Sequence, residues 1–301
     1  MNRILKPVIV FCSLFVTTTL LANDISLATY NIRNFDYDRR ANQTTNKSAL
    51  KDILDNLNKV DILAVQEVVN VEEFQKFTAT HYPQYEVALS KCGGMGKQHL
   101  GILFNKTRYQ LESSKEEDRL SRAEGCDKGV RPGMVFGLLD RQNNRRLHVI
   151  VLHLKAGGQQ RNDDERYGQL QILTKIVSEL REAGNKNIII MGDLNTTDYV
   201  LRNHNYQRFM SFIDTNQLVD LSAEVECTAY WWGGTDDGLE DASILDHIIV
   251  SRELFDDVNQ RNVQSLAHCK KSSCQSAAAD VLGITFKEVS DHCPMSAKLS
   301  L

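Results

Sequence analysis

The sequence predicts an α/β sandwich of two sheets, and three observations carry that expectation. Short apolar runs alternate with helical patterns from Ile25 onward, several runs fall into pairs across polar turns, and a strict strand–helix beat is missing. A doubly wound sheet would need that beat; paired strands with scattered helices need two packed sheets. Of 301 residues, 42% are apolar and 25% charged, which excludes a fibrous or disordered chain. With 17 Gly and 4 Pro there is no room for a long flexible linker. One compact domain is therefore expected over residues 23–301.

Residues 1–22 begin with the positive stretch Met1-Asn2-Arg3-Ile4-Leu5-Lys6 and continue as an uncharged, mostly apolar run from Val8 to Ala22. That run is shorter than the roughly 20 residues of a comfortable membrane span, so it reads as a secretory signal peptide. Leu20 departs from the small residue usual near a cleavage point. No second apolar stretch of spanning length follows. A secreted or periplasmic protein without stable membrane association is expected.

Residues 25–32 read as a strand, and residues 46–58 as a helix with Leu50, Ile53, Leu54 and Leu57 on one face. Residues 61–68 form a second strand. Residues 85–90 and 100–105 are read as a pair around the Gly93-Gly94-Met95-Gly96 loop, and 135–140 with 147–154 as a hairpin across Arg141-Gln142-Asn143-Asn144. A long helix is expected over 164–180, where Leu170, Leu173, Ile176, Val177 and Leu180 recur at helical spacing. Strands follow at 187–191, at 244–250 and after Pro294. The charged run 115–122 reads as a solvated loop or helix face, and 266–279 as a surface loop held by cysteines.

Without Cys12, six cysteines remain: Cys92, Cys126, Cys227, Cys269, Cys274 and Cys293. An even count in an exported chain fits disulfides, and no CxxC or nearby His spacing supports zinc. Cys269–Cys274 and Cys92–Cys126 are the expected pairs. The charge balance is 35 basic to 39 acidic residues, and loss of residues 1–22 removes Arg3 and Lys6 as well. A broad basic surface for nucleic acid is excluded; a small cleft handling one phosphodiester is not.

Polar residues sit repeatedly at the ends of apolar strands: Asn31, Glu67, His153, Asp193 with Asn195, Asp246 with His247, and Asp291-His292. If the strands are neighbours, these ends converge on one patch of carboxylates, amides and imidazoles. Oxygen donors without thiolates suit magnesium, manganese or calcium. A carboxylate-bound divalent cation polarises phosphoryl oxygen, and a His–carboxylate pair, here Asp246 with His292, suits proton transfer near neutrality. Arg131 adds a positive fork for developing charge.

The segments Thr29-Tyr30-Asn31-Ile32-Arg33, Gln66-Glu67-Val68, His153-Leu154-Lys155, Gly192-Asp193-Leu194-Asn195, Leu245-Asp246-His247-Ile248 and Ser290-Asp291-His292-Cys293-Pro294 follow one another in order over about residues 27–300. In that order the chain resembles the endonuclease/exonuclease/phosphatase superfamily, the deoxyribonuclease I-like fold. The resemblance implies a four-layer α/β sandwich of two packed mixed sheets flanked by helices, with the site at one sheet edge. It implies Glu67 as principal metal ligand with Asn31 beside it and Asp291 as a second contact. Asp193 and Asn195 would orient water and the scissile phosphate. His292, oriented by Asp246, would be general base or phosphate contact, and His153 the second catalytic imidazole.

The implied activity is that of an exported, magnesium-dependent DNA endonuclease of low sequence preference, acting as a monomer, with calcium or manganese as other cations and RNA as another substrate. A secreted sphingomyelinase-type phospholipase C is the enzymatic alternative, and a silent binding module on the same scaffold the non-enzymatic one. Secreted relatives place a Glu before the Gly93-Gly94 loop to support the first His, where this chain aligns Lys91, so the orientation of His153 lacks an explanation. Tyr230-Trp231-Trp232 is read as core packing, with one indole left to line the cleft. His247 is expected to point into the opposite layer as packing; His99 and His268 carry no motif. Lys155 and Arg161 stand where a phosphate backbone or plain solvent would pass.

Overall fold

Strands that are apolar on both faces are stable only between two packed layers. The computed structural model describes residues 24–37, 44–57, 60–196, 199 and 202–300, and it supplies those layers. The strands, in chain order, are β1 (Ile25–Phe35), β2 (Ile62–Val68), β3 (Tyr85–Leu89), β4 (His99–Asn105), β5 (Tyr109–Glu117), β6 (Gly133–Asp140), β7 (Arg145–His153), β8 (Ile188–Asp193), β9 (Leu218–Asp220), β10 (Ala229–Trp231), β11 (Asp241–Ser243), β12 (Asp246–Ser251), β13 (Gln260–Ser265) and β14 (Met295–Ser300). One mixed sheet runs β13-β14-β1-β2-β4-β3, the other β5-β6-β7-β8-β12-β9, and β10-β11 is a separate hairpin. This is the two-sheet sandwich the sequence predicts.

Side-chain alternation assigns each layer. Leu27, Ile62, Ala64 and Met295 from one sheet meet Val149, Val151, Ile189, Met191, Ile248 and Val250 from the other in a shared central core. The opposite faces carry Ala28, Tyr30, Leu63 and Val65 under helices α1 (Lys47–Asp55) and α2 (Val71–His81). On the second sheet, Ile150, Leu152, Ile188 and Ile190 lie under α3 (Gln160–Glu182) and α4 (His204–Thr215). Helix, sheet, sheet and helix make four layers.

Several expectations change. The run 115–122 is neither loop nor helix face: it completes the edge strand β5 and a short 3-10 turn at Asp118–Leu120. An edge strand pairs on one side only, and its charge is the usual protection of such an edge. Residues 266–279 are not all surface loop, because a short helix, Ala267–Ser272, buries His268 and Cys269. That helix also overturns the Cys269–Cys274 pairing. It turns Cys269 inward to Cys293, whereas Cys274 follows a left-handed cap at Ser273 and meets Cys227. Cys92–Cys126 is bonded as expected. The signal peptide lies outside the described residues, among which no helix is long and apolar enough to cross a membrane.

Candidate active site

Strand direction brings the polar ends together. β1 runs parallel to β2 and β7 parallel to β8, while β12 runs antiparallel to β8, so the ends of four strands and the start of the fifth share one edge. His153 lies opposite Asp193, and Asp193 opposite Asp246. Parity with Leu27, Val151, Met191 and Ile248 puts Asn31, His153, Asp193 and Asp246 on the inner faces, as a polar cap on the central core.

Glu67 does not follow parity. Alternation from Leu63 and Val65 would send it to the outer face. Its φ of 62° and the register shifts in both ladders of β2 turn it across to Asn31 instead. A bulge that re-aims one side chain at the cost of backbone strain is a feature of functional edges. Asn195, at φ 50°, is the second site residue in the left-handed region. Gly192, at φ 139°, passes so close to the Leu152 carbonyl that a Cβ there would collide with it.

The geometry is tight. Asn31 Nδ2 donates to Glu67 Oε1 at 3.1 Å and to Asp193 Oδ2 at 3.0 Å, and lies 3.5 Å from His292 Nε2. His153 Nε2 is 3.2 Å from Asp193 Oδ2 and 3.6 Å from Glu67 Oε1. His292 Nδ1 is 2.7 Å from Asp246 Oδ2, and its Nε2 is 3.6 Å from Asp193 Oδ2. The Asn195 N–H donates to Asp193 Oδ1 at 2.8 Å. Arg131 reaches the Leu154 carbonyl at 2.9 Å, and the Asn195 amide reaches the same oxygen at 3.3 Å. Asp291 lies on the segment before β14 with its Oδ1 buried and unpartnered among the described residues. His153 Nδ1 is likewise without a partner, so the lack of a supporting carboxylate anticipated at Lys91 is real on that side of the ring. The other ring nitrogen faces Asp193 and Glu67.

Burial pushes the Asp193 carboxyl up to about 6, against the pull of the His292 charge. Burial also raises Glu67, with Arg131 opposing and Asp291 adding to the rise. His153 is held well below its ordinary value by burial, and the charges of Arg131 and His292 add to the fall. For His292 burial disfavours the charge, but Asp246 and then Asp193 outweigh it and hold the ring well above its ordinary value. The two imidazoles thus differ in charge at neutral pH, His153 neutral and His292 cationic. Glu67, His153 and Asp193 present donor atoms within 4.8 Å of one another. Two crowded carboxylates that resist ionisation, beside the unpartnered Asp291 oxygen, are a donor set that fits an added hard cation.

Some supporting residues carried no role in the sequence reading. The Asn34 N–H donates to Glu67 Oε2 at 2.9 Å from a left-handed turn at φ 50°. Ser290 Oγ donates to the Asn31 carbonyl at 2.7 Å and accepts from the His292 N–H at 3.1 Å. Thr228 Oγ1 accepts from the backbone of Leu245 and Asp246. Ser290 lay inside a recognised motif and Thr228 in the Thr–aromatic segment that precedes Leu245-Asp246, but nothing in the order of residues announced Asn34. His247 points to the outer layer as expected and packs, tilted, on Phe209 with ring centroids 4.9 Å apart. It also binds Asp220 at 2.9 Å and the Thr196 carbonyl, which ties down the chain just after Asn195. His99 bonds to the Ser90 carbonyl, Lys155 sits on the connection from β7 into α3, and Arg161 lies in the first turn of α3. Tyr230 is buried, but Trp231 and Trp232 are exposed, which overturns core packing for both indoles.

The chain matches the Endonuclease/Exonuclease/phosphatase family over residues 28–292. No curated protein sequence matches it. Among solved structures, D. rerio TDP2 complexed with single strand DNA product is similar with a TM-score of 0.62 and 14% identity, covering 93% of this chain and 100% of that one. The human Nocturnin catalytic domain with bound sulfate gives 0.62 and 17%, covering 93% and 95%. The endonuclease/exonuclease/phosphatase from Bacteroides vulgatus gives 0.61 and 19%, covering 92% and 99%. At these identities the neighbours establish the fold.

Proposed function

The chain belongs to the Endonuclease/Exonuclease/phosphatase family, and from that footing we propose that it is an exported, divalent-metal-dependent DNA endonuclease of low sequence preference. The observation that carries this reading is the His292–Asp246 pair facing Glu67, Asp193 and His153 across Asn31. The DNA product held by the D. rerio neighbour supports a nucleic-acid substrate.

Glu67, with Asn31 and Asp291 beside it, would hold the cation, magnesium first and calcium or manganese as substitutes. When bound, it polarises a phosphoryl oxygen and offsets charge on the leaving oxygen. The protein's own groups do the rest. His292, kept cationic by Asp246, contacts the scissile phosphate through Nε2 and moves the proton there. Asp193, fixed by the Asn195 N–H, orients the attacking water, and the Asn195 amide a phosphate oxygen. His153, neutral and beside Asp193, stands at the leaving-group side. Arg131 meets the charge that develops on the phosphoryl oxygens. Residues 1–22 direct export, residues 23–301 form one catalytic domain, and the three disulfides support an oxidising compartment. The protein works as a monomer.

The test is supercoiled plasmid incubated with the purified protein in magnesium, magnesium with calcium, and EDTA, beside His292→Ala. Metal-dependent nicking that the variant loses is expected. Intact plasmid under every metal condition would overturn the nuclease reading and move the search to sphingomyelin and inositol phosphates.

A further inference from the structure

Trp231 ends β10 with 45% of its surface exposed, beside a catalytic candidate to which the hairpin is bonded directly. Ala229 forms a bridge with His292, the Tyr230 N–H donates to the Asp291 carbonyl at 2.9 Å, and the Cys293 N–H donates to the Thr228 carbonyl at 2.7 Å. Residues opposed across an antiparallel bridge project to the same face, and so does the residue two further along a strand. Trp231 therefore shares a face with Ala229 and with the His292 imidazole. Its Nε1 donates to Ser243 Oγ at 2.8 Å, and Ser243 pairs with Ala229 on the side away from His292, so the indole folds back over β11 to the level of His292 with the width of β10 between them. That bond fixes the ring while leaving surface open. Trp232 lies past the end of the strand and leaves it on the face of the buried Tyr230.

We propose that Trp231 is a stacking platform for an unpaired nucleobase next to the scissile phosphate, which makes single-stranded or frayed DNA the preferred form of the substrate. The inference rests on the nuclease reading above. A duplex covers both faces of each base, whereas an unpaired base offers an open face to an aromatic ring. The hairpin connection carries Asp236, Asp237 and Glu240, with Asp241 opposite Trp231. These carboxylates repel phosphate and anionic lipid and leave the neutral base as the group the indole accepts.

The chain contains two tryptophans, 231 and 232, so its indole fluorescence reports on this hairpin alone. Oligothymidylate is titrated into the full protein with turnover blocked by EDTA. Quenching is expected in wild type and in Trp232→Phe, and none in Trp231→Phe, whose remaining indole is Trp232. Trp231→Ala should bind about tenfold more weakly, raise KM for single-stranded more than for duplex DNA, and recover in Trp231→Phe. No quenching, quenching carried by Trp232, or quenching by phosphatidylcholine vesicles in place of the oligonucleotide would each overturn the subsite. Cleavage of oligothymidylate without quenching overturns the subsite and leaves the nuclease reading standing. Quenching without cleavage in magnesium supports a binding subsite and counts against that reading.

Discussion

His153 and His292 are both buried within reach of Asp193, yet they differ in charge because only His292 has a second carboxylate on its far nitrogen. Asp246→Asn removes that charge while keeping the shape. The expected loss in kcat is about 10²–10⁴-fold. The high-pH limb of the rate profile should move to lower pH, because His292 then loses its proton sooner. An unchanged profile would assign Asp246 a packing role. The same crowding bears on the cation. Burial raises the carboxyl of Glu67, the proposed ligand, and pushes that of its neighbour Asp193 up to about 6, so protons compete with the metal in mildly acidic solution. Calorimetric magnesium affinity should fall as pH drops through 6, by up to about tenfold per unit for each proton displaced. Affinity flat across that range would show that these carboxylates do not hold the ion.

At the scale of elements, the edge of the second sheet depends on how closely β7 and β8 approach. Gly192 adopts φ 139° against the Leu152 carbonyl, a position where a side chain is refused twice over, by conformation and by space. Gly192→Ala should destabilise by more than about 2 kcal/mol in urea unfolding and displace Asp193; a neutral result would mean that β8 can shift freely. The long helix α3 was legible because Leu170, Leu173, Ile176 and Val177 repeat at helical spacing over about two turns of chain. α2 and α4 were not read out, since α2 buries only Phe74, Phe77 and Thr78, too few apolar points to establish a period. β5 escaped because an edge strand with a solvated face carries charge where a central strand carries Val or Ile.

Across the whole molecule, three large layers of core account for the sheets, and a fourth, small cluster carries the hairpin. Cys227, Tyr230, Cys269, Leu282, Phe286 and Cys293 form it, with two of the three disulfides inside. So few apolar side chains make a weak core, and cross-links restrict the unfolded chain instead. Cys227→Ser with Cys274→Ser, closing no loop over a separation of 47 residues, should cost about 2–4 kcal/mol in urea unfolding. A cost near zero would show that the cluster holds without its bridge.

The order of motifs, with Asn31, Glu67, His153, Asp193, Asn195, Asp246, Asp291 and His292 at strand ends, was sufficient for the sequence to identify family, fold and candidate site together. These signals are local, since each is a polar residue that closes an apolar run, and period-2 alternation fixes the face of most of them. Partnership between distant segments is not local. Which cysteine Cys269 meets depends on a six-residue helix and the path to Cys293; the turn of Glu67 across its own strand depends on bulges in both neighbouring ladders; the exposure of Trp231 depends on a hairpin with no third layer over it. Chain order leaves such contacts undetermined, because each arises only when elements far apart in sequence pack against one another.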